Sequence, residues 1–208
     1  MPMPLRNRVT PSGEIVATEH RGTLMGNRGV LHDDDGRLVR EWQVRRWIAC
    51  RLEFRGRHRE LLRPRRWTEL FFLDEATAIA AGHRPCAECR NADYKRWQAA
   101  WAGGATNADA IDARLHADRL APDRPRRAVR ELPRGAMVGL EGAPWLVTEG
   151  GLRAWSLAGY GELRAPPRER LPVLTPAAAV ATLAAGYAPA LHPSAARADT
   201  IDDKEASR

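Results

Sequence analysis

The 208-residue sequence predicts an α+β fold, and three observations support this fold class. The first 62 residues hold short β-prone segments separated by glycine and aspartate turns. Short helices with clear end signals follow between residues 69 and 101, and another lies near 175–186. Residues 136–160 alternate short apolar stretches with glycine turns, which is typical of a β-meander.

These patterns divide the chain into four predicted parts. The first is a small domain of β-hairpins and two short helices at residues 1–101. A Gly-, Pro- and charge-rich linker covers 102–135, with one possible amphipathic helix near 107–120. A β-meander plus helix module is predicted at 136–195, and the polar tail at 196–208 is predicted to be disordered.

The amino-terminal part reads as hairpins. Residues 1–13 are expected to be a loose arm. The run HDDDG at 32–36 predicts a hairpin turn, because aspartates favour turns and Gly36 permits a positive φ. A second hairpin is predicted over 45–62, turning near Gly56.

The pattern then changes to a short apolar strand at 69–73 followed by helices. Asp74 is a predicted N-cap of the first helix and Gly82 its C′ residue. A second helix is predicted from about 88 to 101, where one face would carry three aromatic residues of the core: Tyr94, Trp97 and Trp101.

The carboxy-terminal helix has a clear predicted start and end. Thr175 is expected to cap it, and Pro176 would occupy the first helical position. Gly186 would end it.

The composition sets limits on the class of protein. A hydrophobic content of 44% supports a packed core. No apolar run approaches the roughly 20 residues of a membrane span, and the amino terminus has no apolar core of a signal peptide. We therefore expect a cytoplasmic protein with reduced thiols.

The positive charge is concentrated in one region and comes from arginine. The net charge is +7 with only two lysines, and residues 37–66 contain 11 Arg and 3 Glu, a net charge of +8. Trp42, Trp47 and Trp67 are interleaved with these arginines. Since arginine binds phosphates in a bidentate manner, this pattern predicts a nucleic-acid partner. The predicted contacts are Arg45, Arg46, Arg51, Arg55, Arg57 and Arg84.

The three cysteines predict a metal site. Cys86 and Cys89 are spaced CxxC, and Cys50 lies upstream. A CxxC beside a helix can direct two sulfurs to one tetrahedral ion, and a third thiolate strengthens the zinc interpretation. A thioredoxin-type redox pair and unrelated thiols are the alternatives. A thioredoxin-type pair lies at the start of a helix that follows a strand, whereas here a capped helix ends just before the CxxC.

The segment ELFFLDEATAIAAGHRPCAECR at 69–90 resembles the end of the zinc domain at the amino terminus of the Ada DNA-alkylation repair protein. That domain ends in an aromatic strand, an alanine-rich helix and a Gly-aromatic-Arg-Pro-Cys-x-x-Cys run. WIACR at 47–51 looks like the strand that delivers the family's first cysteine. The resemblance covers about residues 42–95.

The resemblance implies zinc as the cofactor, with Cys50, Cys86 and Cys89 as ligands. In the family the first cysteine also accepts a methyl group from a methylated DNA phosphate, and this role would fall on Cys50. The family's second cysteine, four residues after the first, corresponds here to Phe54. A replacement ligand is then needed, and His58 is the first candidate.

Two other histidines complete the comparison of ligands. His32, at the edge of the earlier hairpin, is the alternative to His58. His83 stands at the family's aromatic position and is expected to pack. A site of three thiolates and one imidazole is less negative than four thiolates, so Cys50 would be a weaker nucleophile and the zinc would be structural.

The sequence therefore predicts a zinc-binding protein that binds nucleic acid through an arginine-rich face, and the resemblance implies a role in DNA alkylation repair or its regulation. It is not expected to be a turnover enzyme. The alternatives are a structural zinc module for protein–protein contacts, a Cys50-based acceptor of methyl groups from phosphotriesters, and a metal-dependent nuclease using the cluster Asp33–Asp35. The sequence does not predict the oligomeric state.

Overall fold

A computed structural model describes residues 4–56, 60–102 and 107–196, and it confirms the α+β fold class. Within these residues there are three β-sheets and four α-helices. The helices are α1 (Glu75–Ala80), α2 (Asn91–Ala100), α3 (Ala108–Leu120) and α4 (Ala177–Ala184). None of the described helices is both long and apolar enough to cross a membrane.

The largest sheet has six strands in the order β2-β1-β5-β3-β4-β6. Three of its neighbouring pairs are antiparallel, whereas β1 and β5, and β4 and β6, run parallel. The strands are β1 (Arg6–Val9), β2 (Ile15–Ala17), β3 (Leu24–Asn27), β4 (Ile48–Arg51), β5 (Leu70–Phe72) and β6 (Arg84–Pro85).

The prediction of a loose arm at residues 1–13 is wrong for the described residues from 4 onward. β1 pairs with β2 through Val9 and Ile15, and with β5 through Arg8 and Phe71. Val9 is buried in the core. The partner strand β5 lies far along the chain, so local sequence carried no sign of this pairing.

The predicted hairpin over 45–62 is also wrong. Its first half is β4, but β4 pairs with β3 on one side and with β6 on the other. Residues 60–62 form no strand, and residues 57–59 lie outside the described part. β4 is therefore an internal strand of the sheet, which buries Ala49 and Cys50.

The predictions for the turn at 32–36 and for the first helix are confirmed. The Asp33 carboxylate accepts hydrogen bonds from two backbone N–H groups of its turn, at Asp35 and Arg37. Asp74 caps α1 by accepting from the backbone N–H and the hydroxyl of Thr77. Gly82 follows α1 with a φ of +85°, as a C′ glycine requires.

The predicted β-meander is confirmed as a four-stranded antiparallel sheet. Its strands are β8 (Met137–Leu140), β9 (Ala143–Val147), β10 (Leu152–Ser156) and β11 (Gly159–Arg164). A two-stranded sheet joins β7 (Arg126–Arg127) to β12 (Leu171–Pro172). The start of α4 differs by one residue, because Thr175 accepts a hydrogen bond from the Met137 N–H instead of capping the helix.

One buried hydrophobic cluster contains residues from three of the predicted parts, namely 1–101, 102–135 and 136–195. It contains Trp97 from α2, Ile111 and Leu115 from α3, and Trp145 and Leu183 from the meander module. The helix α3, predicted within the linker 102–135, therefore contributes to the core. The domain boundaries themselves stay a prediction, and the tail at 197–208 lies outside the described residues.

Candidate metal centre

Cys50, Cys86 and Cys89 meet at one place in the structure. Their sulfur atoms all lie within 4.8 Å of one another. All three are free thiols, with exposed fractions of 6%, 7% and 9%. Met25 is buried in the same cluster, and the partly buried rings of Phe54 and Trp67 pack against it.

The sheet positions the two halves of this cluster. Cys50 comes from β4, and β6 runs parallel to β4 just before the CxxC turn. The Arg84 N–H donates to the Trp47 carbonyl at 3.1 Å, and the Cys86 N–H donates to the Ala49 carbonyl at 3.0 Å. These backbone bonds fix the position of Cys86 relative to Cys50.

The metal-free cluster favours a thiolate at Cys86. The pKa of Cys86 is lowered because its sulfur accepts hydrogen bonds from Cys50 and Cys89, and backbone N–H groups of Cys89 and Glu88 add to the effect. The pKa of Cys50 is raised by its hydrogen bonds to the same two thiols and by burial. Metal binding by thiols displaces their protons, so any metal affinity of this cluster would rise with pH.

This donor set fits a metal ion. Thiolates bound to one tetrahedral zinc at about 2.3 Å lie roughly 3.8 Å apart, which is compatible with sulfurs that lie within 4.8 Å of one another. Soft thiolate ligands suit zinc, copper(I) and iron–sulfur centres, and exclude a preference for magnesium or calcium. The three cysteines could therefore coordinate a metal.

No other His, Cys, Asp or Glu in the described residues joins the three cysteines. Phe54, which the predicted resemblance sets opposite a family cysteine, packs against the cluster. The predicted ligand His58 lies outside the described residues.

The alternative ligand His32 is engaged elsewhere. Its Nε2 lies 3.1 Å from the Arg63 carbonyl, which can only accept, so Nε2 is the donor. Its Nδ1 then accepts from the Thr68 hydroxyl at 2.6 Å. Both nitrogens are occupied, and His32 has no lone pair left for a metal.

Helix α3 contacts the segment that leads into the CxxC turn. Arg84 forms a bidentate ion pair with Asp112 of α3, with both N–O distances at 2.8 Å and both side chains almost fully buried. Arg119 of the same helix donates to the carbonyls of Gly82 and Arg45. Asp112 therefore occupies the Arg84 guanidinium, and the role of Arg84 as a nucleic-acid contact stays a prediction.

His83 is buried in an aromatic and cationic environment, so the prediction that it packs is confirmed. Its ring lies 4.6 Å from the ring of Phe72 and 5.1 Å from that of Trp47. The guanidinium groups of Arg28 and Arg119 lie over Trp47 at 4.0 and 3.9 Å. Burial, followed by these two positive charges, holds the pKa of His83 well below its usual value.

This environment predicts an acid-sensitive contribution to stability. The unfolded chain protonates His83 near pH 6.5, whereas the folded chain keeps it neutral to lower pH. The stability from His83 is therefore present above about pH 6.5 and is lost as the pH falls towards the lowered pKa. When the pH falls from 6.5 to 5.5, the free energy of unfolding of the wild type should fall by about 1 kcal/mol more than that of His83→Phe.

The measurement is urea unfolding of both proteins, purified in the same way, at several pH values. Acid release of metal is common to both proteins and cancels in their difference. Parallel pH profiles of the free energy of unfolding would contradict the prediction.

An open groove of about 660 Å³ passes beside the cysteine cluster. Cys86 lines it, and Cys50 is not among its described lining residues. Four arginines and a tryptophan also line it: Arg46, Arg65, Arg66, Arg84 and Trp67. Arg84 is the buried partner of Asp112. Arg46, Arg65 and Arg66 are exposed, whereas Trp67 is half-buried.

Five arginines besides Arg84 are predicted contacts, and the structure describes four of them. Arg45, Arg46, Arg51 and Arg55 are exposed, and Arg57 lies outside the described residues. Of the four described ones, Arg46 lines the groove. The contact prediction omitted Arg65 and Arg66, although the run Arg-Arg-Trp directly before β5 combines positive charge with an aromatic ring.

The fold and site define an α+β protein with a buried three-cysteine cluster beside an arginine-lined groove. No protein-family model, curated protein or solved structure matches the chain. The resemblance to the Ada zinc domain over residues 42–95 therefore stays a prediction.

Proposed function

We propose that this protein binds zinc through its three cysteines and binds nucleic acid along the adjoining groove. The observation that carries the proposal is the position of Cys86, which belongs both to the cysteine cluster and to the lining of the groove. A metal held there would fix one wall of the groove.

Zinc is the metal that suits this site best. Three buried thiolates on a strand and an adjacent turn are typical of structural zinc sites, which complete a tetrahedron with a fourth protein ligand. We propose His58 for that position, since it follows Phe54 closely in the chain. Zinc would join β4 to the CxxC turn and so stabilise the sheet.

The groove supports a polyanionic partner. Arg46 lies on one segment of its lining, and Arg65 and Arg66 lie on another. Guanidinium groups arranged in this way can contact successive phosphates, since each presents a planar set of donors. Exposed Arg45, Arg51 and Arg55 extend the positive surface beyond the groove.

Binding should depend steeply on salt and on the groove arginines. We expect the log of the association constant to fall linearly with log salt between about 50 and 200 mM. Replacing Arg46, Arg65 and Arg66 by alanine should reduce the magnitude of that slope by about 2 to 3, because fewer counterions are released. Fluorescence anisotropy of a labelled oligonucleotide provides the measurement.

The matched control removes three exposed arginines that do not line the groove: Arg130, Arg164 and Arg168. It changes the net charge equally and should leave most of the slope intact. Equal losses in both triple variants would show a nonspecific charge effect. Absence of binding by the zinc-loaded wild type at low salt would overturn the nucleic-acid proposal.

A further inference from the structure

The composition of the groove distinguishes between forms of nucleic acid, and the inference drawn from it rests on the proposed function. A duplex presents phosphates outward and keeps its bases stacked, so its backbone contacts need only cations. This groove also contains an indole and amide side chains. Such groups recognise bases that have left the stack.

Trp67 is the aromatic residue that could receive a base. It directly follows Arg65 and Arg66, so one segment supplies both cations and an aromatic ring. Trp67 is half-buried, and it also packs against the cysteine cluster. An indole supported in this way is a rigid surface for stacking.

The polar lining is arranged in two parts. Asn27 and Gln43 contribute amides that can pair with base edges. Glu88 and Asp109 line the groove from the CxxC turn and the start of α3. These carboxylates disfavour a phosphate beside them, so the strand backbone is restricted to the arginine segments.

The volume is suited to one nucleotide unit. At about 660 Å³ the groove falls within the range of roughly 300–1,000 Å³ that is usual for small-molecule sites. We propose that the groove binds single-stranded nucleic acid, with one unstacked nucleotide against Trp67 and the flanking phosphates on Arg46, Arg65 and Arg66.

The test compares three probes on the zinc-loaded protein: a labelled single strand of about 16 nucleotides, the same sequence as a duplex, and dTMP as competitor. The single strand should bind at least about 10-fold more tightly than the duplex, since stacking contributes roughly 5- to 150-fold per base. The mononucleotide should compete only far above the strand's Kd.

Trp67→Ala should lose most of this preference without changing the salt slope, because stacking releases no counterions. Trp67→Phe should keep much of the preference for the single strand, because phenylalanine can still stack. This variant therefore distinguishes loss of stacking from loss of folding. Trp42→Ala is the control, since Trp42 is exposed and is not among the described lining residues.

The outcomes separate the two proposals. Failure of both strand forms to bind at low salt overturns the proposed function. Duplex binding as tight as single-strand binding, or full binding by Trp67→Ala, overturns the single-strand inference and leaves the proposed function standing. Equal affinity for dTMP and the strand would overturn the assignment to a strand.

Discussion

For the proposed zinc site, Cys86→Ser is expected to abolish zinc binding and to lower the free energy of unfolding by several kcal/mol. Zinc binding contributes about 10–16 kcal/mol in small zinc-finger peptides, where folding depends entirely on the metal. Here a packed core remains, so part of the fold should survive. Elemental analysis and urea unfolding of protein purified without added metal measure the two effects.

A chelator separates the contribution of the metal from that of the side chain. The wild type and Cys86→Ser should differ strongly in zinc and little in excess chelator, because the cysteine stabilises the fold through the ion. Ala87→Ser is the matched control, since it places a serine at an exposed position of the same turn. A wild type that contains no metal would overturn the zinc proposal.

The same approach tests the fourth ligand. We expect His58→Ala to lower zinc affinity, because it would open one position of the tetrahedron. His32→Ala should leave zinc content unchanged, since both His32 nitrogens are hydrogen-bonded within the sheet region. Equal zinc content in His58→Ala and the wild type would exclude His58.

Local signals in the sequence predicted the elements that depend on neighbouring residues. Asp74 and Gly82 mark the ends of α1 because capping and positive φ are local requirements. The glycine turns of the meander join strands that are adjacent in sequence, so pairing followed from order. The meeting of the three cysteines was expected because thiols with metal-ligand spacing have few other uses in a reduced protein.

Long-range pairing could not be predicted in the same way. β1 joins β5 across some 60 residues, and β4 joins β6 in parallel; neither pairing leaves a local mark. The helix α3 was read as part of a linker because charged residues surround its few buried apolar ones, Ile111 and Leu115. The burial of Arg84 has no local signal either, because its partner Asp112 lies in that helix.

Asp112→Ala should be among the most destabilising single changes outside the cysteine cluster. It leaves the Arg84 guanidinium buried without its carboxylate, and breaking a buried pair in this way costs about 3–5 kcal/mol. For a protein of this size the melting temperature should fall by roughly 10 °C. The control is Glu131→Ala, which removes an equally bidentate but exposed pair with Arg170 and should cost less than about 1 kcal/mol.

The double variant Arg84→Met, Asp112→Leu tests whether the cost lies in the isolated charge. Apolar replacements of both partners should recover most of the lost stability, since the desolvation of both ions is avoided. Because Arg84 lies two residues before Cys86, Asp112→Ala should also release zinc at a lower chelator concentration than the double variant does. Equal zinc retention in both would show that the ion pair stabilises the fold without positioning the metal-binding turn.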